Sequence, residues 1–266
     1  MENFLLPSKI EFQHGETALG GSLIITPCYH GYGTTLGNAL RRVLLSSLPG
    51  GAVESFKIKG TQHEFSAVDG VQEDVVEIML NLKQLAVKVY ADEPVKLFLS
   101  KKGVGPVTAG DITKDSNVEI INKDLVIANL TSTRPLEMEI TVGKGRGYCP
   151  VEEKDKKNNE LGTILVDSVY TPVRDVGYKV ENTRVGDITN YEKLTINIET
   201  NGTISPEDAV VQATQILMDH FSTVLGSVKD DMISHGAPVA IEEPAAEEVA
   251  ETEEAKPAKK KAVKKK

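Results

Sequence analysis

The stretch HGYGTTLGNALRRVLLSS, His30 to Ser47, sets a glycine-rich turn directly against the start of an amphipathic helix. A helix N-terminus offers unpaired backbone N–H groups and a partial positive charge, and glycine lets a ligand come close to the backbone, so the first question is whether this turn cradles a phosphate. A dinucleotide-binding turn needs Gly-x-Gly-x-x-Gly after a strand. Here Gly31 and Gly33 are followed by Leu36 at the third position, and Gly37 comes one residue late. A P-loop needs Gly-Lys-Ser or Gly-Lys-Thr, and neither occurs; GKGRGY from Gly143 has glycines and cations without the hydroxyl that would hold magnesium, and reads as a turn. The stretch is left as a helix to be explained by its faces.

The helix is expected over Leu36 to Leu48, with Thr34 or Thr35 as N-cap and Pro49-Gly50-Gly51 ending it. On a helical wheel Leu36, Ala39, Leu40, Val43 and Leu44 form one apolar face, and Asn38, Arg41, Arg42 and Leu45 gather on the other side. A leucine between arginines is the composition of a protein-binding hot spot, and it is also what a solvated face with one stray leucine looks like. Both readings stand at this point.

Working outward, the chain up to about Val180 is dominated by strand patterns: VESFKIK, LAVKVY, VKLFL, LEMEITV and TILVDSVY, punctuated by Gly, Pro, Asn and Asp. One helix interrupts them at roughly Gln72 to Leu85, with Glu73, Asp74 and Glu77 at its start as a solvated acidic face and Lys83 in its last turn. After the alternating LTINIET comes a signposted helix, with Ser205 as N-cap, Pro206 at the first helical position and Asp208 placed to answer the cap. Val210, Leu217, Phe221, Val224 and Val228 make a seam along it, open to intramolecular packing or to pairing with a second copy. From Ala237 the composition changes to seven glutamates followed by seven lysines among Ala, Val and Pro, which reads as a disordered tail over 237–266. Its lysines suit either simple solvation or weak phosphate contact.

The totals exclude several classes. A chain of 266 residues with 40% hydrophobic residues buries one large core or two modest ones, and a net charge of −9 argues against a body that coats nucleic acid. Cys28 and Cys149 lie far apart, so no disulfide framework is expected and a cytoplasmic location fits. No run approaches the roughly 20 apolar residues of a spanning helix. His14, His30, His63, His220 and His235 lack ligand spacing, and Cys28-x-His30 has no second pair, so neither a metal nor a cofactor is expected. No nucleophilic serine elbow or catalytic cysteine signature occurs, and nothing points to an enzyme acting alone.

GYGTTLGNALRRVLLSSLPG, GVQEDVVEIMLNLKQLAVKV, GPVTAGDI, GRGY and ETNGTISPEDA stand in the order and approximate spacing of one family. Over about residues 1 to 233 the chain resembles the alpha subunit of bacterial DNA-directed RNA polymerase. The resemblance implies an α+β fold in two parts: a dimerisation part from residues 1–49 and 175–233, and an inserted, mostly β part from 50–174. It implies a homodimer pairing through Leu36, Leu40, Val43, Leu44, Val210, Leu217, Phe221, Val224 and Val228. It further implies that one protomer recruits the beta subunit through Asn38, Arg41, Arg42 and Leu45, with Glu64 and Glu73 contributing, and that Lys83, Val166 and Asp167 serve beta-prime. Omega and sigma would follow, and catalysis and magnesium would belong to the partners, leaving this nucleotidyltransferase subunit with no catalytic residue, small-molecule substrate or membrane contact of its own. Family members usually continue into a small DNA-binding C-terminal domain. In its place this chain has the glutamate-then-lysine tail, which is expected to touch DNA at most weakly; a nucleic-acid-binding module acting through those lysines is the alternative function.

Overall fold

The computed structural model describes residues 6–15, 17–154, 160–186 and 188–234. Its elements run β1 (Lys9–His14), β2 (Gly20–Cys28), α1 (Tyr32–Ser46), β3 (Pro49–Ile58), α2 (Val75–Lys83), β4 (Val87–Val89), β5 (Val95–Lys101), β6 (Gly105–Thr108), β7 (Val118–Ile120), β8 (Val126–Leu130), β9 (Leu136–Arg146), β10 (Tyr148–Cys149), β11 (Ile164–Leu165), β12 (Ser168–Val169), β13 (Val173–Val185), β14 (Ile188–Thr200) and α3 (Pro206–Ser234). The class is α+β, and every strand pairing recorded is antiparallel. Packing separates a body Met1–Phe221 from a second, Ser222–Lys266, of which only the helical residues to Ser234 are described. The tail from 237 and His235 lie outside the described residues.

The first body holds two apolar cores. One gathers under a four-stranded sheet ordered β1-β2-β14-β13, where Leu23, Ile25, Leu194, Ile196 and Ile198 meet Leu40, Leu44 and Leu48 of the α1 region and Ala209 and Ala213 of α3. The other is built on a sheet in which β5, β9, β3, β4 and β7 are neighbours in that order and β11 pairs with β3. Alternation fixes the register there. Met138, Ile140 and Val142 of β9 stand opposite Ile58, Phe56 and Val53 of β3 and opposite Leu99, Leu97 and Val95 of β5, so a slip of one residue would turn the whole apolar row to solvent. Helix α2 closes this core with Val75, Ile78 and Leu82, all fully buried. In sequence the cores are nested: the buried residues of the second span Val53 to Val166, and those of the first lie before and after them.

Several local expectations are corrected. Helix α1 begins at Tyr32, four residues before Leu36, because Gly31 adopts φ 85° and turns the chain into the helix; Thr35 is not a cap but donates its hydroxyl back to the Gly31 carbonyl at 3.2 Å. Pro49-Gly50-Gly51 do not serve as a helix stop. The helix ends with the Ser47 N–H on the Val43 carbonyl, and Pro49 to Gly51 open β3 opposite Arg146 to Lys144. GKGRGY is strand from Gly143 to Arg146, with the turn confined to Gly147. Its glycines provide room: a Cβ on Gly143 would lie 2.0 Å from a Glu54 carboxylate oxygen, and one on Gly145 would lie 2.8 Å from the Tyr170 ring. Helix α2 is shorter than Gln72 to Leu85 and starts with a capping box, the Asp74 carboxylate accepting from the Glu77 N–H at 2.7 Å. TILVDSVY is not one strand but β11 and β12, parted at Val166 and Asp167.

The α3 start holds as read. Ser205 Oγ accepts from the Asp208 N–H at 3.0 Å and donates to the Asp208 carboxylate at 2.7 Å, ahead of Pro206 at the first helical position.

Candidate functional site

Two glycines seat α1 on its sheet. Gly33 and Gly37, one turn apart, are buried against β13 and β14, where a Cβ on Gly33 would come within 2.7 Å of Glu192 Oε2 and one on Gly37 within 2.7 Å of the Tyr178 ring. The absence of side chains brings the helix axis close to the strands. The N-terminal amides of α1 are then taken by the chain itself: the Glu192 carboxylate accepts from Gly31 N–H at 2.8 Å through Oε1 and from Gly33 N–H at 2.9 Å through Oε2. An anion does occupy this helix start, and it is a side chain of β14. His30 Nδ1 lies 3.3 Å from the same carboxylate.

That seat sorts the residues of α1. Leu40 and Leu44 are buried in the chain's own core, with Leu36, Val43 and Leu45 partly buried against it, so Leu40 and Leu44 offer no surface to a second copy. Asn38, Arg41 and Arg42 are exposed. Arg41 Nε donates to the Val176 carbonyl at 3.1 Å and is thereby tied to β13, whereas the Arg42 side chain has no partner among the described residues. The grouping of Leu45 with the arginines is corrected accordingly: it lies at the rim of the core.

Glu64 and Glu73 are brought to different environments. Glu64 is exposed beside Phe65, which is 80% exposed, in the segment between β3 and α2. Glu73 is only partly exposed. Its carboxylate accepts from both the backbone N–H and the side-chain amide of Asn129, each at 2.7 Å, and so fastens the approach to α2 onto β8.

Lys83 and Asp167 are joined directly, Nζ to Oδ2 at 2.7 Å, and Asp167 Oδ1 accepts from Val151 N–H at 3.0 Å. The hydrogen bond from Lys83 holds the Asp167 carboxyl below the usual carboxylate range. Val166 is fully buried, so its side chain contributes packing and no contact surface. A residue that sequence reasoning missed organises this corner. Lys154 sends its ammonium inward to the Glu54 carbonyl at 2.9 Å, to Ser168 Oγ at 2.6 Å and to the Val166 carbonyl. Burial pushes its pKa down. β11 pairs with β3 and β12 with β10, and the change of partner falls at Val166 and Asp167. No sequence pattern marks a lone lysine as an interior one.

Along α3 the seam divides. Val210 and Leu217 are partly buried on the first core, whereas Phe221, Val224 and Val228 are 67%, 61% and 50% exposed, with Met218 and Leu225 similarly bare. Among the described residues no three His, Cys, Asp or Glu side chains group as metal ligands, both thiols are free, and no helix is long and apolar enough to cross a membrane. His63 partners Ser66, His14 approaches Glu207 at 3.4 Å, and His220 is bonded to the Ile216 carbonyl.

Comparison with known proteins places this geometry among relatives. The family described as RNA polymerase Rpb3/RpoA insert domain matches residues 56–171. DNA-directed RNA polymerase subunit alpha of Oceanobacillus iheyensis is 50% identical over 219 residues, covering 82% of this chain and 70% of the relative. The proteins of the same name from Desulforamulus reducens and Symbiobacterium thermophilum are 51% and 50% identical, over 82% and 79% of this chain and 70% and 67% of theirs.

Proposed function

The chain belongs to the alpha-subunit family of DNA-directed RNA polymerases, and from that premise we propose that it is a non-catalytic assembly subunit, which pairs with a second copy of itself and holds the beta and beta-prime subunits for transcription. The observation that carries the reading is the bare apolar run of α3, where Phe221, Val224, Leu225 and Val228 are each half or more exposed on a helix whose earlier turns pack on the first core. A soluble chain seldom leaves such a run uncovered. Membership of the family supports a second copy as the cover.

The two remaining surfaces are assigned in the same spirit. The exposed Asn38 and Arg42 on α1, with Arg41 steadied by Val176 and with Glu64 on its exposed segment, are the beta-facing group. The Lys83–Asp167 pair, on the other core, is the beta-prime-facing group. In a symmetric pair each surface occurs twice and meets a partner once, so the two protomers carry different loads. Glu73, Leu45 and Val166 support these surfaces from behind. The domain division that accompanies this reading, 1–49 with 175–233 against 50–174, follows the nesting of the two cores. The lysines beyond residue 255, outside the described residues, add at most weak, salt-sensitive attraction to DNA.

Co-expression of the chain with beta and beta-prime, followed by affinity capture and light scattering of the isolated chain, tests the reading. A dimer that captures both large subunits is expected. A monomer at micromolar concentration, or a dimer that captures neither, overturns it.

A further inference from the structure

We propose that Glu192 is a positioning residue for partner capture: its carboxylate is the built-in anion of α1 and fixes the starting point and rotation of the face that carries Asn38 and Arg42. The inference rests on the reading that this face engages beta.

A helix start is ordinarily capped by the side chain of the residue that opens it. Here that residue is Gly31, which has none, and the task falls to a residue 161 positions away. Glu192 satisfies two of the amides that a helix leaves unpaired, and its negative charge sits at the positive end of the helix dipole. Its side chain is only 8% exposed, so the carboxylate is held among fixed neighbours. The pairing changes beside it. Glu192 stands opposite Cys28, the last residue before the turn into α1, and between this pair and Leu194–Ile25 the register shifts by one, the extra residue lying on β2 while β14 stays in register with β13. The shift places Glu192 at the point where β2 leaves the sheet for the helix start.

The remaining contacts explain why the clamp governs orientation. Gly33 lies against Glu192 and Val180, Gly37 against Tyr178 and Leu194, and Arg41 Nε reaches the Val176 carbonyl, so α1 is fastened to the β13–β14 hairpin at its first, second and third turns. Arg42 follows the last of these fastenings directly. Removing the first frees the N-terminal turn, and a changed rotation there displaces Asn38 and Arg42 together.

The test uses the full chain co-expressed with beta, comparing wild type, Glu192→Gln, Glu192→Ala and Arg42→Ala. Beta capture by Glu192→Ala and Glu192→Gln is expected to weaken about tenfold, the size of a lost helix cap, while the dimer mass is unchanged. Sodium formate, against chloride at matched ionic strength, should restore capture by Glu192→Ala and leave wild type unaffected, since formate supplies the missing carboxylate. In an Arg42→Ala background the Glu192 variants should cost little more. Wild-type capture by both Glu192 variants, with Arg42→Ala weakened, overturns the inference and leaves the beta-facing assignment standing. Wild-type capture by Arg42→Ala overturns the assignment and the inference with it. Loss of dimer mass along with capture, unrescued by formate, gives Glu192 a purely architectural role and overturns the inference as well.

Discussion

Lys83 Nζ meets Asp167 Oδ2 at 2.7 Å across 84 positions of sequence, joining the last turn of α2 to the segment between β11 and β12. The pair ties together two pieces of chain that both lie against β3, and it leaves both side chains about a quarter to a third exposed, at 26% and 30%.

Because Lys83 holds Asp167 below its ordinary pKa, the pair contributes stability that is present above the unfolded carboxylate value of about 3.9 and is lost as pH falls through the folded value. Lys83→Met is expected to raise the Asp167 pKa toward that value and to flatten the acid limb of the stability profile. Carboxyl chemical shifts followed through an acid titration measure the first, and urea unfolding at graded pH the second.

Arg42→Ala should leave the dimer mass intact and weaken beta capture by about 2 kcal/mol or more, roughly thirtyfold, if Arg42 is an interface anchor. Arg41→Ala should act differently, lowering thermal stability through loss of the Val176 bond. Capture assays and melting curves on the two variants separate a contact residue from a tethered one. Equal behaviour in both assays contradicts the sorting of the two arginines.

Phe221→Glu combined with Val224→Glu places charges where the second copy is proposed to sit, and a dimer of moderate affinity should dissociate to monomer by light scattering. Both side chains are exposed, so the folded body should melt as wild type does. Leu217→Glu, on a residue packed against the first core, should instead lower the melting temperature.

Gly145→Ala should destabilise by about 1–3 kcal/mol, since the new Cβ would lie 2.8 Å from the Tyr170 ring, which is anchored by its hydroxyl donating to Glu54 at 2.8 Å. Adding Tyr170→Ala removes the obstacle. The double variant is therefore expected to be less unstable than the sum of the singles, a coupling that denaturant unfolding of the four proteins reads directly.

Lys154 titrates below the ordinary lysine value of 10.5 because burial disfavours its charge. Between its folded value and 10.5 the unfolded chain binds the extra proton, so this residue makes stability rise with pH across that window. In Lys154→Met that contribution to the slope should vanish. The difference between the two proteins' stability profiles in alkaline buffers isolates it from other groups.

What the sequence disclosed depended on how far apart the cooperating residues lie. Helix α3 and its cap were legible because Ser205, Pro206 and Asp208 interact within one turn. The alternating apolar positions of LEMEITV announced β9 for the same reason. The start of α1 is misplaced because its cap comes from Glu192, and the break in TILVDSVY is missed because its two halves pair with different strands, β11 with β3 and β12 with β10, which no local pattern announces. GKGRGY looked like a turn because glycine marks turns more often than it makes room for a tyrosine from elsewhere in the fold. For the candidate surfaces, periodicity separated the faces of α1, yet it could not tell that Leu40 and Leu44 are buried within the chain while Phe221 and Val224 are bare.

The nesting of one core inside the other sets a timetable for synthesis. The glutamate that caps the helix is added 161 residues after Gly31, so at roughly 5–20 residues per second it emerges about 8–32 s after that glycine does. During that interval the strands from Val53 to Val166 can close their own core, while β1, β2 and α1 have only half a sheet to rest on. The helix that presents Arg42 is thus fastened last. An unfinished chain carries every residue of that surface without the means to hold it in shape, so under the proposed assembly role newly made protein would become competent for recruitment only after its body is complete.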